Sequence, residues 1–393
     1  MSWIIWLTGV GWVMWDLPYI VLVLPNDFDY YLHAAIDLAS GQNIYYDWMA
    51  ESVREGIGSW YLYPPYFAAA LYPLTFFGRI TAEWIFAAVV ILSVLGIDYA
   101  LIRLRRRIFP NGLRIDLLVH SLVFFAMPTR LLIGSLQVEG LLFLLFLISM
   151  IAMIERWNVC LTGAAITLGV LIKIWPAPYM ASMFSVLRWR MVYPVIIVSS
   201  MIVALFTLFF GVHEQWVFLS DIFPVLMSYA DAYKDNQSLT LFAQHHLFLS
   251  DNIIRVVRWA ILFSYLYMTY RSRHALRNHE LRAIVINAAL FLSVSLLITP
   301  TAWTAGHIRL LLPIMLLCGF CLERGRQSFW LSLATMSAIV CYIYPQELLK
   351  KILPIWIDRF PMLYAAILLY GIFMALSFHS HNCLFENSPS PKQ

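Results

Sequence analysis

Two carboxylates one residue apart, Asp27 and Asp29, stand where the chain leaves its first apolar segment. They open the stretch P-N-D-F-D-Y-Y-L-H-A-A-I-D-L-A-S-G-Q-N-I-Y-Y, from Pro25 to Tyr46. A carboxylate at a membrane exit can take the proton from an incoming hydroxyl as a general base. The competing reading is a solvated helix start with Asn26 or Asp27 as N-cap. A second group is Lys173, which falls inside an apolar region. Ionisable residues at membrane depth are functional candidates, and the alternative for a lysine is snorkelling to an interface. Around these stand Tyr63, Gln137, Glu139, Asn236, Gln237, Ser238, His245, His246, Trp303 and His307. Gln137 and Glu139 open a helix, where a water-facing first turn with a favourable dipole is equally consistent. His307 begins an apolar span. Together these groups suit a displacement on a lipid-linked phosphate. A carboxylate would activate the acceptor, while cations and hydrogen-bond donors in a dry cleft stabilise the leaving phosphate.

The elements that must position these residues are membrane helices. Of 393 residues 62% are hydrophobic and 12% charged, with a mean hydropathy of +0.76. A globular protein carries about 25% charged residues. The apolar runs are continuous, unlike the alternating strands of an outer-membrane barrel. The N-terminus lacks a basic n-region and a small-residue cleavage site, and it carries Trp3, Trp6, Trp12 and Trp15. It reads as a first span or anchor rather than a cleaved signal. The five cysteines give no disulfide framework. Cys318 and Cys321 sit in a leucine-rich span with no second pair, so no metal site, cofactor or nucleic-acid partner is expected.

Basic clusters mark the cytoplasmic side. They are Arg103, Arg105, Arg106, Arg107 and Arg114; Arg156; Arg188 and Arg190; Arg271, Arg273, Arg277 and Arg282; and Arg324 and Arg326. With all of them inside, the spans alternate as 2–24, 82–102, 115–133, 140–154, 192–211, 253–270, 283–298, 307–322, 328–344 and 361–378. That is about ten full crossings of a bilayer core. Residues 25–80 and 212–251 then form large outer loops, and residues 1–380 form a single transmembrane domain with a short cytoplasmic tail over 381–393. Residues 61–78 read as a juxtamembrane or re-entrant helix, with Pro64 and Pro65 in its first turn. Residues 161–173 would reach only about 20 Å at 1.5 Å per residue, and Pro176 and Pro178 follow. The expectation is a pair of half-length helices, 161–173 and 177–187, with Lys173 at their tip.

Five motifs in order carry a family resemblance. Asp27, Phe28, Tyr31, Ala34, Gly41 and Tyr45 fit D-F-x-x-Y-x-x-A-x-x-x-x-x-G followed by Y. Tyr61 to Pro65 fit Y-x-Y-P-P, and Lys173 to Pro176 fit K-x-x-P. Asn236 to Leu239 read N-Q-S-L, and Thr299 to Trp303 with His307 are similar to S-P-x-x-W followed by His. Over nearly the whole chain this resembles the polyprenol-phosphate-mannose-dependent mannosyltransferases of glycosyltransferase family 87. The resemblance implies an all-α polytopic GT-C fold with a long first outer loop and juxtamembrane helices. It implies inverting transfer of a hexose, typically mannose, from a polyprenyl phosphate to a hydroxyl of a glycan or glycolipid acceptor. The reaction would take place at the outer face of the cell membrane. Asp27 matches the catalytic aspartate, and Asp29 is the fallback. Lys173, His307 and Arg309 are the expected phosphate ligands. Tyr31, Tyr63, Gln137, Glu139, Asn236, Gln237 and Trp303 are the expected substrate contacts. The chain departs from the family at Leu136-Gln137-Val138-Glu139, where G-Q-x-N is common. It also departs at His245 and His246, near the place of an absent arginine, and at His307, which stands alone and displaced. The rival reading is a transporter or flippase of lipid-linked sugars. Broken helices and a midplane charge suit it; a long outer loop opening on two aspartates, and the lack of inverted repeats, do not.

Overall fold

The structure, a computed structural model, describes residues 2–23, 27–46, 61–110, 113–155, 157, 159–180, 192–228, 236–278, 280–324, 329–343 and 360–379. Asn26, Arg156, Arg188, Arg190, Arg326, the second half-helix beyond 180 and the tail after His379 lie outside the described residues.

Helices follow the apolar runs. In chain order they are α1 (Ser2–Val23), α2 (Phe28–Ala39), α3 (Pro65–Leu71), α4 (Arg79–Ile108), α5 (Leu113–Phe125), α6 (Met127–Gly134), α7 (Glu139–Ile154) and α8 (Val159–Ile172). Then come α9 (Val192–Phe210), α10 (Leu239–His246), α11 (Asp251–Arg271), α12 (Leu281–Ile298), α13 (Leu311–Arg324), α14 (Phe329–Ile343) and α15 (Pro361–His379). Among the described residues the one isolated β-bridge joins Asn236 to Trp303.

The described residues give ten apolar helices of two lengths. By length and composition five described segments suffice to cross a bilayer: Arg79–Ile108, Arg114–Gly134, Val192–Phe210, Leu281–Ile298 and Thr304–Glu323. Ile4–Trp15, Glu139–Ile154, Cys160–Ile172, Ser332–Ile343 and Pro361–Ser377 are apolar but shorter. Some runs are interrupted. Pro128 follows Ala126 at the α5–α6 joint, where Ala126 turns extended; α7 begins and α8 ends at polar turns that meet at Glu139 and Lys173.

Burial sorts the helices. α12 is covered on all sides from Ile284 to Leu297 and packs against α11 and α15. α7 lies between α4 and α8. α9 is the opposite case, with Ile196, Ile197, Met201, Leu205, Leu208 and Phe209 all exposed. In water such a face would be a large unpartnered apolar patch; in a bilayer it is the lipid-facing wall.

The described segment after α2 forms a short proline-led helix. Pro64 is the N-cap of α3 and Pro65 its first residue, where a missing N–H costs nothing. A 3-10 turn, Tyr72–Phe76, continues it. Tyr61 explains part of the Y-x-Y-P-P motif: its hydroxyl donates to Pro64 O (2.8 Å) and accepts from Ala68 N (2.8 Å), pinning the helix start. Gly41 has φ +70 and closes α2. Gln42 N reaches back to Asp37 O at 2.8 Å, the hydrogen bond of a left-handed helix stop that favours glycine. The loop beyond is held at Ile44, whose N–H donates to Glu214 Oε2 at 3.3 Å.

Candidate active site

Three chain breaks converge on one place: the start of α2, the α6–α7 turn and the turn after α8. Asp27 occupies the N-cap position of α2, but its side chain makes no capping hydrogen bond. Its backbone N–H donates to Ser135 O (3.0 Å), which ties the first loop to the α6–α7 turn. Its carboxylate instead accepts a hydrogen bond from Gln137 and lies in the field of Lys173. Burial pushes the Asp27 carboxyl up from the ordinary 3.8 to about 6, against the opposing pull of Gln137 and Lys173. The capping alternative therefore accounts for the position of Asp27 and leaves its side chain unexplained.

Gln137 and Glu139 are aimed by an unusual turn. Leu136 has φ +47, and Gln137 N bonds Leu132 O at 2.9 Å. This is the same left-handed helix stop that Gly41 makes, here with a leucine. An L-residue in that region costs about 1–2 kcal/mol. The Leu136 side chain is fully buried, and its packing offsets the strain. This is the physical content of the departure from G-Q-x-N: the position wants positive φ, and a buried leucine takes it.

Glu139, the first residue of α7, is the hub. It is 3% exposed. Lys173 Nζ donates to its Oε1 at 2.6 Å, and Arg309 Nη2 stands 3.6 Å from its Oε2. Lys173 follows directly on α8, as the half-helix reading expects, so it is held at a tip inside the bundle and does not snorkel away. Its ammonium also sits over the Tyr63 ring, 4.9 Å from the centroid. Tyr63 shares a hydroxyl contact with Tyr31 (3.0 Å), and the two rings meet edge to face. Burial raises both phenols above their ordinary range and keeps them neutral donors. Tyr45 donates to Tyr63 O at 2.5 Å and fixes that strand of chain.

Arg309 comes from the 3-10 helix Thr304–Leu310, which precedes α13. Its Nε donates to Gly306 O (2.9 Å) and its Nη1 to Ser295 Oγ of α12 (3.1 Å). Its guanidinium lies over Trp175, 4.2 Å from the ring centroid. His307 on the same turn is fully buried. Its Nδ1 takes Trp303 O at 3.0 Å, and its Nε2 has no hydrogen-bond partner among the described residues.

Not every expected residue joins this cluster. Asp29 pairs with Arg79, Oδ2 to Nη2 at 2.8 Å, and anchors α2 to the start of α4. Asn236 acts as a brace: its Oδ1 accepts from Ser238 N and Ala302 N, each at 3.0 Å. Gln237 N donates to Ala302 O at 2.8 Å. Ser238 caps α10 by accepting from Leu241 N at 3.1 Å. N-Q-S-L is thus a clip whose bridge to Trp303 sets the register of the turn bearing His307 and Arg309. His246 packs against Phe242 and Phe360, away from the missing arginine's role. Sequence reasoning missed Trp175 and Ser295. Trp175 lies inside K-x-x-P, and the tryptophan there was the available signal; Ser295 sits in an apolar helix and gave none.

The described residues form an all-α bundle with several membrane-length helices and a carboxylate–lysine–arginine hub. Residues 61–300 match the family model of Glycosyltransferase family 87. The match covers more than half of the chain, and the chain belongs to this family. No curated protein and no solved structure matches the chain. The matched region holds Tyr63, Gln137, Glu139, Lys173 and Asn236; Asp27, His307 and Arg309 reach the same place through the fold. Membership sets the transporter reading aside.

Proposed function

We propose that this membrane glycosyltransferase transfers a hexose, mannose by family resemblance, from a polyprenyl phosphate to a hydroxyl of a glycan or glycolipid acceptor, with inversion, at the outer face of the cell membrane. The observation that carries the reading is Asp27: a half-buried carboxylate at a helix start that does not cap its helix, is oriented by Gln137 and faces a buried cationic hub. In this reading Asp27 takes the acceptor proton as the oxygen attacks the anomeric carbon. The bond from that carbon to the phosphate oxygen breaks on the opposite face, and the polyprenyl phosphate departs as an anion. Lys173 and Arg309 supply two positive charges against one on Glu139, so the hub keeps one net positive charge for a phosphate. His307 Nε2 adds a further polar contact at its edge. Tyr31 and Tyr63 offer hydroxyls to the sugar.

The test is a donor competition. Membranes containing the protein are given either radiolabelled polyprenyl-phosphate mannose or labelled nucleotide-linked mannose. The reading expects label in an acceptor from the first alone when synthesis of the lipid donor is blocked. Transfer from the nucleotide sugar under that block would refute the lipid-phosphate donor.

A further inference from the structure

At the other end of α4 lies a cavity of about 620 Å³ between α1, α4 and α5. That volume is within the range of small-molecule sites. α4 fixes its distance from the hub. Arg79, beside Asp29, starts the helix, and Arg103 comes 24 residues later, a rise of about 36 Å. Since the hydrocarbon core is about 30 Å thick, this cavity and the hub lie toward opposite bilayer faces.

The mouth is basic. Arg103, Arg106 and Arg107 line it. Arg103 is held by both Glu155 oxygens and lies over Trp157, and Arg107 Nε is 3.9 Å from the same carboxylate. Arg106 is exposed and has no ion pair among the described residues. Asp98 and His120 close the floor, paired through His120 Nδ1 at 2.8 Å, so the carboxylate there is already engaged. Three arginines against Glu155 and Asp98 leave one net positive charge with His120 neutral, and it sits at the mouth.

The walls are apolar and lead into the membrane. Trp6 of α1 forms one side, an interfacial aromatic position. On α4 the side chains at 92, 95, 99 and 106 share one face at helical spacing. Leu92 is 64% and Tyr99 66% exposed. Leu92 is eleven residues below Arg103, about 16 Å at 1.5 Å per residue. A guanidinium mouth above an exposed apolar stripe has the shape of an amphiphile with a phosphate head and an acyl chain.

We propose that this cavity binds the phosphate headgroup of an anionic membrane lipid, with Arg106 and Arg107 on the phosphate and one acyl chain along the α4 stripe. A soluble phosphate would meet the same arginines without the stripe. With the arginine end cytoplasmic, as the charge bias expects, the anionic leaflet supplies the ligand.

The test uses the full-length protein in detergent, followed by thermal unfolding with added phosphatidylglycerol, phosphatidylcholine or inorganic phosphate. A ligand of the folded state raises the midpoint with concentration. The expected result is a rise with phosphatidylglycerol alone. In the Arg106→Gln/Arg107→Gln variant, about tenfold or more lipid should be needed for the same rise, since hydrogen bonds to charged groups are lost. Arg277→Gln/Arg282→Gln, on other basic residues, should respond like the parent. An equal rise with phosphatidylcholine, a full rise with inorganic phosphate, or an unchanged response in Arg106→Gln/Arg107→Gln would each overturn the proposal. A diazirine-bearing phosphatidylglycerol gives an independent reading. Cross-links on peptides of α1 and α4 support the site, and cross-links only elsewhere refute it.

Discussion

Replacing Asp27 with asparagine tests the proposed base and the structure together. The change keeps shape and removes only the ionisable group. General-base catalysis is worth about 10²–10⁴-fold, so turnover should fall by that factor while donor binding survives. Because burial lifts the Asp27 carboxyl to about 6, the parent's rate should fall about tenfold between pH 7 and pH 5, following the ionised fraction, and the variant's residual rate should be flat. Stability should move the other way. The folded value lies above the unfolded one, so this group favours the fold below the unfolded value near 4 and loses that contribution as pH rises through 6. A shift of about two units is worth about 3 kcal/mol at 1.36 kcal/mol per unit. Asp27→Asn should therefore be more stable than the parent at pH 8 by up to about that amount, and close to it at pH 4. The assays are initial transfer rates across pH and thermal unfolding at both ends of the range. A variant that turns over within a few-fold of the parent would refute Asp27 as the base. A variant destabilised at pH 8 would refute the account of its burial.

Other outcomes follow from the same geometry. Lys173→Met should abolish donor use and destabilise the fold by about 1–3 kcal/mol, since Glu139 loses one charged hydrogen bond but keeps Arg309 beside it. Adding Glu139→Gln strips the buried Arg309 of its counter-charge, so the double variant should be no more stable than Lys173→Met by thermal unfolding and should not transfer. Asp29→Asn should retain most activity and cost at most about 1 kcal/mol, because its pair with Arg79 is largely exposed; a dead Asp29→Asn enzyme beside an active Asp27→Asn one would exchange their roles. Leu136→Gly should relieve about 1–2 kcal/mol of backbone strain yet lose the larger packing of a fully buried leucine, typically 2–5 kcal/mol on truncation. Its net effect in chemical unfolding should be destabilisation.

The helices were legible because membrane spans write themselves as long apolar runs. α4, α9 and α12 fall where those runs lie. The half-helix ending at Lys173 was legible too, since a short run followed by Pro176 and Pro178 cannot cross. Less legible were the breaks at Ala126 and at the α6–α7 turn, which depend on packing rather than composition. At the site, Asp27 and Lys173 stood out because charge is scarce in such a chain. The bracing role of Asn236 was not legible, because a polar residue in a loop reads the same whether or not it accepts two backbone N–H groups. The pairing of Glu139 with both Lys173 and Arg309 joins residues 34 and 170 positions apart, and only the folded bundle brings them together. Of the two residues that seat the arginine, Trp175 was signalled only by its place inside K-x-x-P, and Ser295 carries no signal that separates it from ordinary core.

The central claim is inverting transfer from a lipid phosphate with Asp27 as base. The most direct measurement is the anomeric configuration of the product made by the purified protein in liposomes from a polyprenyl-phosphate mannose of defined configuration, read by nuclear magnetic resonance. The account predicts a single new glycosidic linkage of the opposite configuration, absent with Asp27→Asn. A product that retains the donor's configuration, or one formed equally by Asp27→Asn, would contradict it.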